Sequence, residues 1–238
     1  MEIAPGIHRL GPGIVNCYLL EEQGGVTIID AGAPGYWDDL PRELAAMGRR
    51  IDDVKALVLT HAHLDHIGFA ERLRRERGVP VHVHAADVPL TRKAVIPKFK
   101  GKIRFAVLRF IGFAITHGML RNPPPILEVA TFADGETIDV PGRPRALHVP
   151  GHSEGSAALL VAARDAVFIG DAIVTLDVFS GETGPRLSPF NADRRRAFES
   201  LARLEGMSAR LVLPGHGQPY TGGLPQAVRL ARQGGPPS

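Results

Sequence analysis

Nine consecutive residues, Thr60-His61-Ala62-His63-Leu64-Asp65-His66-Ile67-Gly68, constrain this chain more than any other stretch. Four of their side chains are metal-ligand types, and the run from Lys55 to Thr60 ahead of them reads as a strand that delivers them rigidly. In an extended loop successive side chains alternate sides, so His61 and His63 point the same way and two imidazoles can grip one cation. Asp65 and His66 are adjacent and cannot both join that grip without strain, which suggests a second cation beside the first. A solvated histidine-rich turn is the competing reading of this stretch taken alone, and donors elsewhere in the chain must decide against it.

Three later segments carry complementary donors. His152 follows Val149-Pro150-Gly151, Asp171 follows Phe168-Ile169-Gly170, and His216 follows Val212-Leu213-Pro214-Gly215. Each ends an apolar run and stands beside glycine, which lets backbone turn sharply and approach an ion closely.

Around these motifs the chain alternates strands and helices. Gly13 to Leu20 and Gly25 to Asp30 read as a hairpin, and Trp37 to Met47 as a helix with Trp37, Leu40, Leu44 and Met47 on one face. A helix is expected from Asp65 to Arg77, then a strand at Val79 to Val83 and a helix at Ala85 to Thr91. Strands are expected at Glu128 to Phe132, Glu136 to Val140, Arg145 to Val149, Ala157 to Ala162, Ala166 to Ile169 and Arg210 to Leu213. Helices follow at Asp193 to Leu204 and Leu224 to Gln233. No linker is long enough to require two domains, so the expectation is one domain over 1–233, with a helical insertion at about 92–122 and a disordered tail at 234–238.

Charge is uneven. The net charge of +3 does not argue for nucleic acid, yet no Asp or Glu occurs from Val88 to Leu127, a segment holding Lys102, Arg104, Arg109 and Arg121 among other basic residues. Within it Phe99, Ile103, Val107, Phe110 and Ala114 fall at helical spacing, interrupted by too much charge for a transmembrane span. An extra packing helix or dimer contact, a lid over a cleft, and a membrane-surface helix all remain open for 97–120. The lone cysteine, Cys17, reads as a buried structural thiol. With no secretory signal visible, a reducing cytoplasm is the expected location.

Taken together, Asp30-Ala31-Gly32, the Thr60 to Gly68 stretch, Pro150-Gly151-His152-Ser153, Gly170-Asp171 and Pro214-Gly215-His216-Gly217 resemble, in order, the motifs of the metallo-β-lactamase superfamily. The resemblance implies an α/β (α+β) fold, a four-layer αββα sandwich of two mixed sheets with the metals where strand ends meet. It implies that His61, His63 and His152 bind one metal, that Asp65, His66 and His216 bind another, and that Asp171 bridges them. Asp30 would support the ligand loops from behind. Zinc is the expected metal, with iron or manganese compatible with imidazole and carboxylate donors.

The implied chemistry is hydrolysis at a carbonyl by a hydroxide shared between the two ions, with Asp65 shuttling its proton to the leaving group. His63 stands where redox di-iron relatives carry a carboxylate. Asp171 stands where true zinc β-lactamases carry Cys or Ser, which leaves β-lactam cleavage as at most a weak side activity. The resemblance is therefore to the glyoxalase II and lactonase branch, acting on an ester, thioester or lactone with an acyl chain or anionic head. Phe110 and Phe113 are the candidate substrate contacts. A Ser-His-Asp arrangement of Ser153 or Ser156 with His152 is the minor alternative within hydrolases. Two further alternatives are a mononuclear iron persulfide dioxygenase using His61, His152 and Asp171, and a non-catalytic binding module. Homo-oligomerisation is left open.

Overall fold

A computed structural model describes residues 1–93, 99 and 102–233. The first half builds a seven-stranded sheet whose strands lie in chain order: β1 (Glu2–Ala4), β2 (Ile7–Leu10), β3 (Cys17–Glu22), β4 (Gly25–Ile29), β5 (Val54–Val58), β6 (Val81–His84) and β7 (Ala130–Phe132). Strands β1 to β4 are antiparallel neighbours, and β4 to β7 are parallel. The second half builds β8 (Arg145–His148), β9 (Ala157–Val161) and β10 (Ala166–Gly170), a ribbon of β11 (Val174–Leu176) and β12 (Thr183–Arg186), and β13 (Leu211–Pro214). The four-stranded sheet runs β13-β10-β9-β8.

Alternation along the strands produces the layers. Tyr18 and Leu20 of β3, Ala56 and Val58 of β5, and Ala166 and Phe168 of β10 share one apolar core between the sheets. Cys17 and Leu19 face the other way, into a core closed by Tyr36, Leu40 and Leu44 of α1 (Tyr36–Ala46) and by Ala70 and Leu73 of α2 (Ala70–Arg77). Val167 and Ile169 face a third core. After α3 (Val88–Arg92) and α4 (Ala106–Thr116), that core is closed by Ala197 and Phe198 of α5 (Arg194–Ser200) and by Leu224, Ala227 and Val228 of α6 (Leu224–Arg232). This is the expected αββα sandwich of mixed sheets.

Several local expectations need correction. The helix expected from Asp65 begins only at Ala70, because the intervening backbone is tied to the Asp30 loop by Ala31 N–H to His66 O at 2.6 Å and Gly68 N–H to Gly32 O at 2.9 Å. Glu136 to Val140 forms no strand. It makes one isolated bridge, Thr137 to Arg145, in a stretch hemmed by Pro141 and Pro144, which lack donors. Strands β1, β2, β11 and β12 were not anticipated. In the insertion, Val107, Phe110 and Ala114 do lie on a helix, whereas Ile103 precedes it and Phe99 bridges to Phe190. Positions 94–98, 100–101 and the expected tail at 234–238 fall outside the described residues. Among the described residues no helix is long and apolar enough to cross a membrane.

Candidate metal centre

Strand direction brings the motifs together. β4 and β5 are parallel, so Asp30 and the His61 loop emerge at one edge. β8 and β10 are each antiparallel to β9, and β13 is parallel to β10, so His152, Asp171 and His216 emerge at one edge of the second sheet. Ala157 N–H donates to Thr60 O at 2.9 Å across the two sheets and fixes one edge against the other. Two glycines make the approach feasible. Gly170 has φ +52°, and a Cβ there would meet Thr60; a Cβ on Gly215 would collide with the Asp171 carboxylate and the His66 ring.

His61, His63 and His152 form the first cluster, all buried. His152 Nδ1–H donates to Phe190 O at 2.5 Å, which leaves its Nε2 unprotonated in the neutral ring. His61 Nδ1–H donates to Thr60 Oγ1 at 3.1 Å, since the Thr60 hydroxyl spends its own proton on Asp30, so His61 Nε2 is bare as well. These two nitrogens stand 3.0 Å apart, and His63 Nδ1 stands 2.8 Å from His152 Nε2. The bare lone pairs of His61 and His152 repel unless a cation sits between them.

The second cluster is Asp65, His66 and His216. His66 Nδ1–H donates to Asp30 Oδ2 at 2.9 Å, and His216 Nδ1–H to Ile14 O, so both present Nε2. His216 Nε2 is 3.3 Å from Asp65 Oδ2 and 3.1 Å from Asp171 Oδ2. That same Asp171 oxygen is 3.5 Å from His152 Nε2, which puts one carboxylate between the clusters. His66 Nε2 and Asp171 Oδ1, 3.6 Å apart, are both buried and have no hydrogen-bond partner among the described residues. Orphaned buried atoms of this kind call for an explanation, and a divalent cation satisfies them where water does not reach. The donor set therefore fits metal ions.

Electrostatics separate the clusters. Burial, reinforced by the neighbouring imidazoles, pulls His61 well below its ordinary value, and burial beside His152 pulls His63 down to about 3. For His66 burial opposes charge, but Asp30, Asp65 and Asp171 outweigh it and push the ring up to about 9. His216 is raised against burial by Asp171 and Asp65. Burial opposes ionisation of Asp65 and Asp171 too, yet the surrounding imidazoles hold both well below the usual carboxylate range.

Beside the clusters lies a cleft of about 230 Å³. Its floor is His63, Asp65, His152, Asp171 and His216, and its walls are apolar, with Leu64, Phe110, Met119, Val174, Leu176 and Val178 below Phe179 and Phe190. The aromatic side is a continuous edge-to-face cluster: Phe110 to Phe179 centroids are 5.5 Å apart and Phe179 to Phe190 5.1 Å. No Lys or Arg lines the cleft among the described residues.

The sequence profile described as the metallo-beta-lactamase superfamily matches residues 10–216. The chain belongs to that superfamily. It is 26% identical over 237 residues to the probable metallo-hydrolase YflN of Bacillus subtilis, covering 93% of this chain and 87% of that protein. It is 28% identical over 205 residues to the atrochrysone carboxyl ACP thioesterase of Aspergillus fumigatus, covering 85% of this chain and 50% of that one. Among solved structures, TTHA1623 in a di-iron-bound form is 30% identical with a TM-score of 0.62, covering 90% of this chain and 93% of that one.

Within this metallo-beta-lactamase superfamily chain, all the expected donors and Asp30 meet at one place, and Phe110 lines the cleft. Phe113 does not. It is buried against Tyr36 and His117 in the core beneath α1, because it sits on the opposite stripe of α4 from the exposed residues. The cleft is walled mainly by residues 174–190, which carried no motif in the sequence. Asp87 was also missed. Fully buried, it accepts from Ala62 N–H at 3.0 Å, Ser153 Oγ at 2.7 Å and Gly155 N–H at 2.6 Å, joining the His61 to His66 loop to the His152 loop. Only an acid after a strand, in His84-Ala85-Ala86-Asp87, hinted at it. Ser153 and Ser156 are engaged in this network, 2.9 Å from each other. Asn16 Nδ2 and Tyr18 OH each donate to Pro214 O at 2.8 Å and hold the His216 loop. Cys17 is buried, and burial pushes its thiol well up.

Proposed function

We propose that the chain is a hydrolase in which His61, His63 and His152 hold one divalent cation and Asp65, His66 and His216 a second, with Asp171 serving both. The observation that carries this is the convergence of the bare His61 and His152 nitrogens with the orphaned His66 Nε2 and Asp171 Oδ1 at the floor of one apolar cleft. Two such ions, when bound, bring a shared water towards a pKa of about 7 and polarise a carbonyl. Imidazole and carboxylate donors suit zinc, and also iron, which a relative holds as a pair. Zinc is the proposed metal.

The chain's own residues divide the remaining work. Asp30, Phe190 O and Ile14 O fix the ring tautomers, so no reorganisation is needed when substrate arrives. Asp65, partly exposed and on the cleft floor, is the group placed to carry a proton to the leaving atom. The walls exclude water and accept an apolar acyl portion. The proposed target is an ester, thioester or lactone carbonyl, and the thioesterase relative supports the thioester.

The test is a panel of lactones, thioesters, aryl esters, phosphodiesters and β-lactams, run on protein whose bound metal has been counted. Turnover of carbonyl esters with two metals per chain is expected. About one iron per chain with sulfur-dependent oxygen uptake would establish the dioxygenase alternative instead, and no turnover of any substrate would favour a binding module.

A further inference from the structure

Helix α4 has an inner stripe and an outer one. Phe113 is fixed in the core and Phe110 lines the cleft, so the helix is anchored at the cleft rim and its other side must face outward. That side is apolar. Phe105, Leu108, Ile111 and Ile115 follow helical spacing, and with Ile103 and Leu120 they make six of the eight exposed large hydrophobic residues among the described ones. Phe105 is 90% exposed and Leu120 73%. Clustering of this kind marks an interaction surface.

The charge around it selects the partner. Lys102, Arg104, Arg109 and Arg121 are all exposed in the same acid-free segment, and among the described residues Glu182 lies 3.8 Å from Arg104. A two-fold contact between copies would set these cations against themselves, whereas anionic headgroups complement them. At 11 residues α4 is too short to span a bilayer but long enough to lie in its interface.

We propose that the outer face of α4 docks on an anionic lipid surface, inserting Phe105, Leu108, Ile111 and Ile115 while Lys102, Arg109 and Arg121 meet headgroups. Docking there would set the cleft rim at the membrane, where an acyl substrate partitions. The docking itself does not depend on the hydrolase reading, because it is measured without substrate.

The experiment is co-sedimentation of the intact protein with vesicles of phosphatidylglycerol and phosphatidylcholine in equal parts, against phosphatidylcholine alone, at low and high salt. Binding to the anionic vesicles, weakened by salt, is expected. Leu108→Glu with Ile111→Glu should abolish it, and Arg109→Gln and Arg121→Gln should each weaken it about fivefold. Thermal melting and bound-metal content should match the parent for all of them, since these side chains are exposed. Equal binding to both vesicle types, no binding to either, or binding unaltered by the variants would overturn the proposal. So would a dimer in solution that Leu108→Glu with Ile111→Glu converts to monomer, which would make the face a self-contact.

Discussion

Asp30 Oδ2 accepts the His66 Nδ1 proton at 2.9 Å, and the same oxygen accepts the Thr60 hydroxyl at 2.8 Å. Thr60 Oγ1 in turn receives His61 Nδ1–H, so one buried carboxylate oxygen sets the tautomer of an imidazole in each cluster. Asp30 holds this position with φ +58°, which Asp tolerates better than most residues. Asp30→Ala should lower affinity for both metals by about 10- to 100-fold and destabilise the fold by roughly 1–3 kcal/mol. Metal content after dialysis and urea titration read the two effects, and full retention of both metals would sink the relay.

Asp87 accepts three buried hydrogen bonds from two ligand loops. Asp87→Ala strands three donors, and a loss of about 3 kcal/mol or more is expected in the urea midpoint. Ser153→Ala removes two bonds, to Asp87 and to Ser156, and should cost about 1–3 kcal/mol while most activity survives. Complete loss of activity in a folded, metal-loaded Ser153→Ala protein would instead make Ser153 the nucleophile.

The two clusters should fill in order as pH changes. His63 is held down to about 3, so no proton competes there at neutral or mildly acid pH. His66 is pushed up to about 9 and His216 is raised as well, so below that range a cation must displace protons from the second cluster. Its affinity should fall about tenfold per pH unit for each proton displaced. Calorimetric titration of metal-free protein between pH 6 and 9 should show one pH-insensitive site and one that strengthens with pH. Two sites of identical pH dependence would contradict the assignment.

The two phenylalanines of α4 should separate cleanly. Phe110→Ala opens the cleft wall and should raise KM for long-chain acyl substrates more than for short ones, with little change in melting temperature. Phe113→Ala should cost about 3–5 kcal/mol of stability through the cavity it leaves in the core. Equal effects of Phe110→Ala on both chain lengths would remove it from the substrate surface.

Much of the fold and most of the candidate site are legible in the sequence. The His61 to His66 spacing, and an apolar run ending in glycine before His152, Asp171 and His216, follow from local rules of strand, turn and ligand chemistry. The continuous apolar runs of β3 and β10 likewise announce strands buried on both faces. Asp87 and the wall from Val174 to Phe190 were not legible, because a single acid or an apolar segment means nothing until another loop is packed against it.

Sequence by itself determined which side chains could bind metal and that strands would deliver them. Tertiary structure decided that all strands carrying them end at one edge, since strand direction depends on pairings between residues far apart in the chain. It also decided that Phe110 faces the cleft while Phe113 faces the core. Helical spacing names the stripes of α4, but only the packing of Phe113 against Tyr36 fixes which of them looks inward.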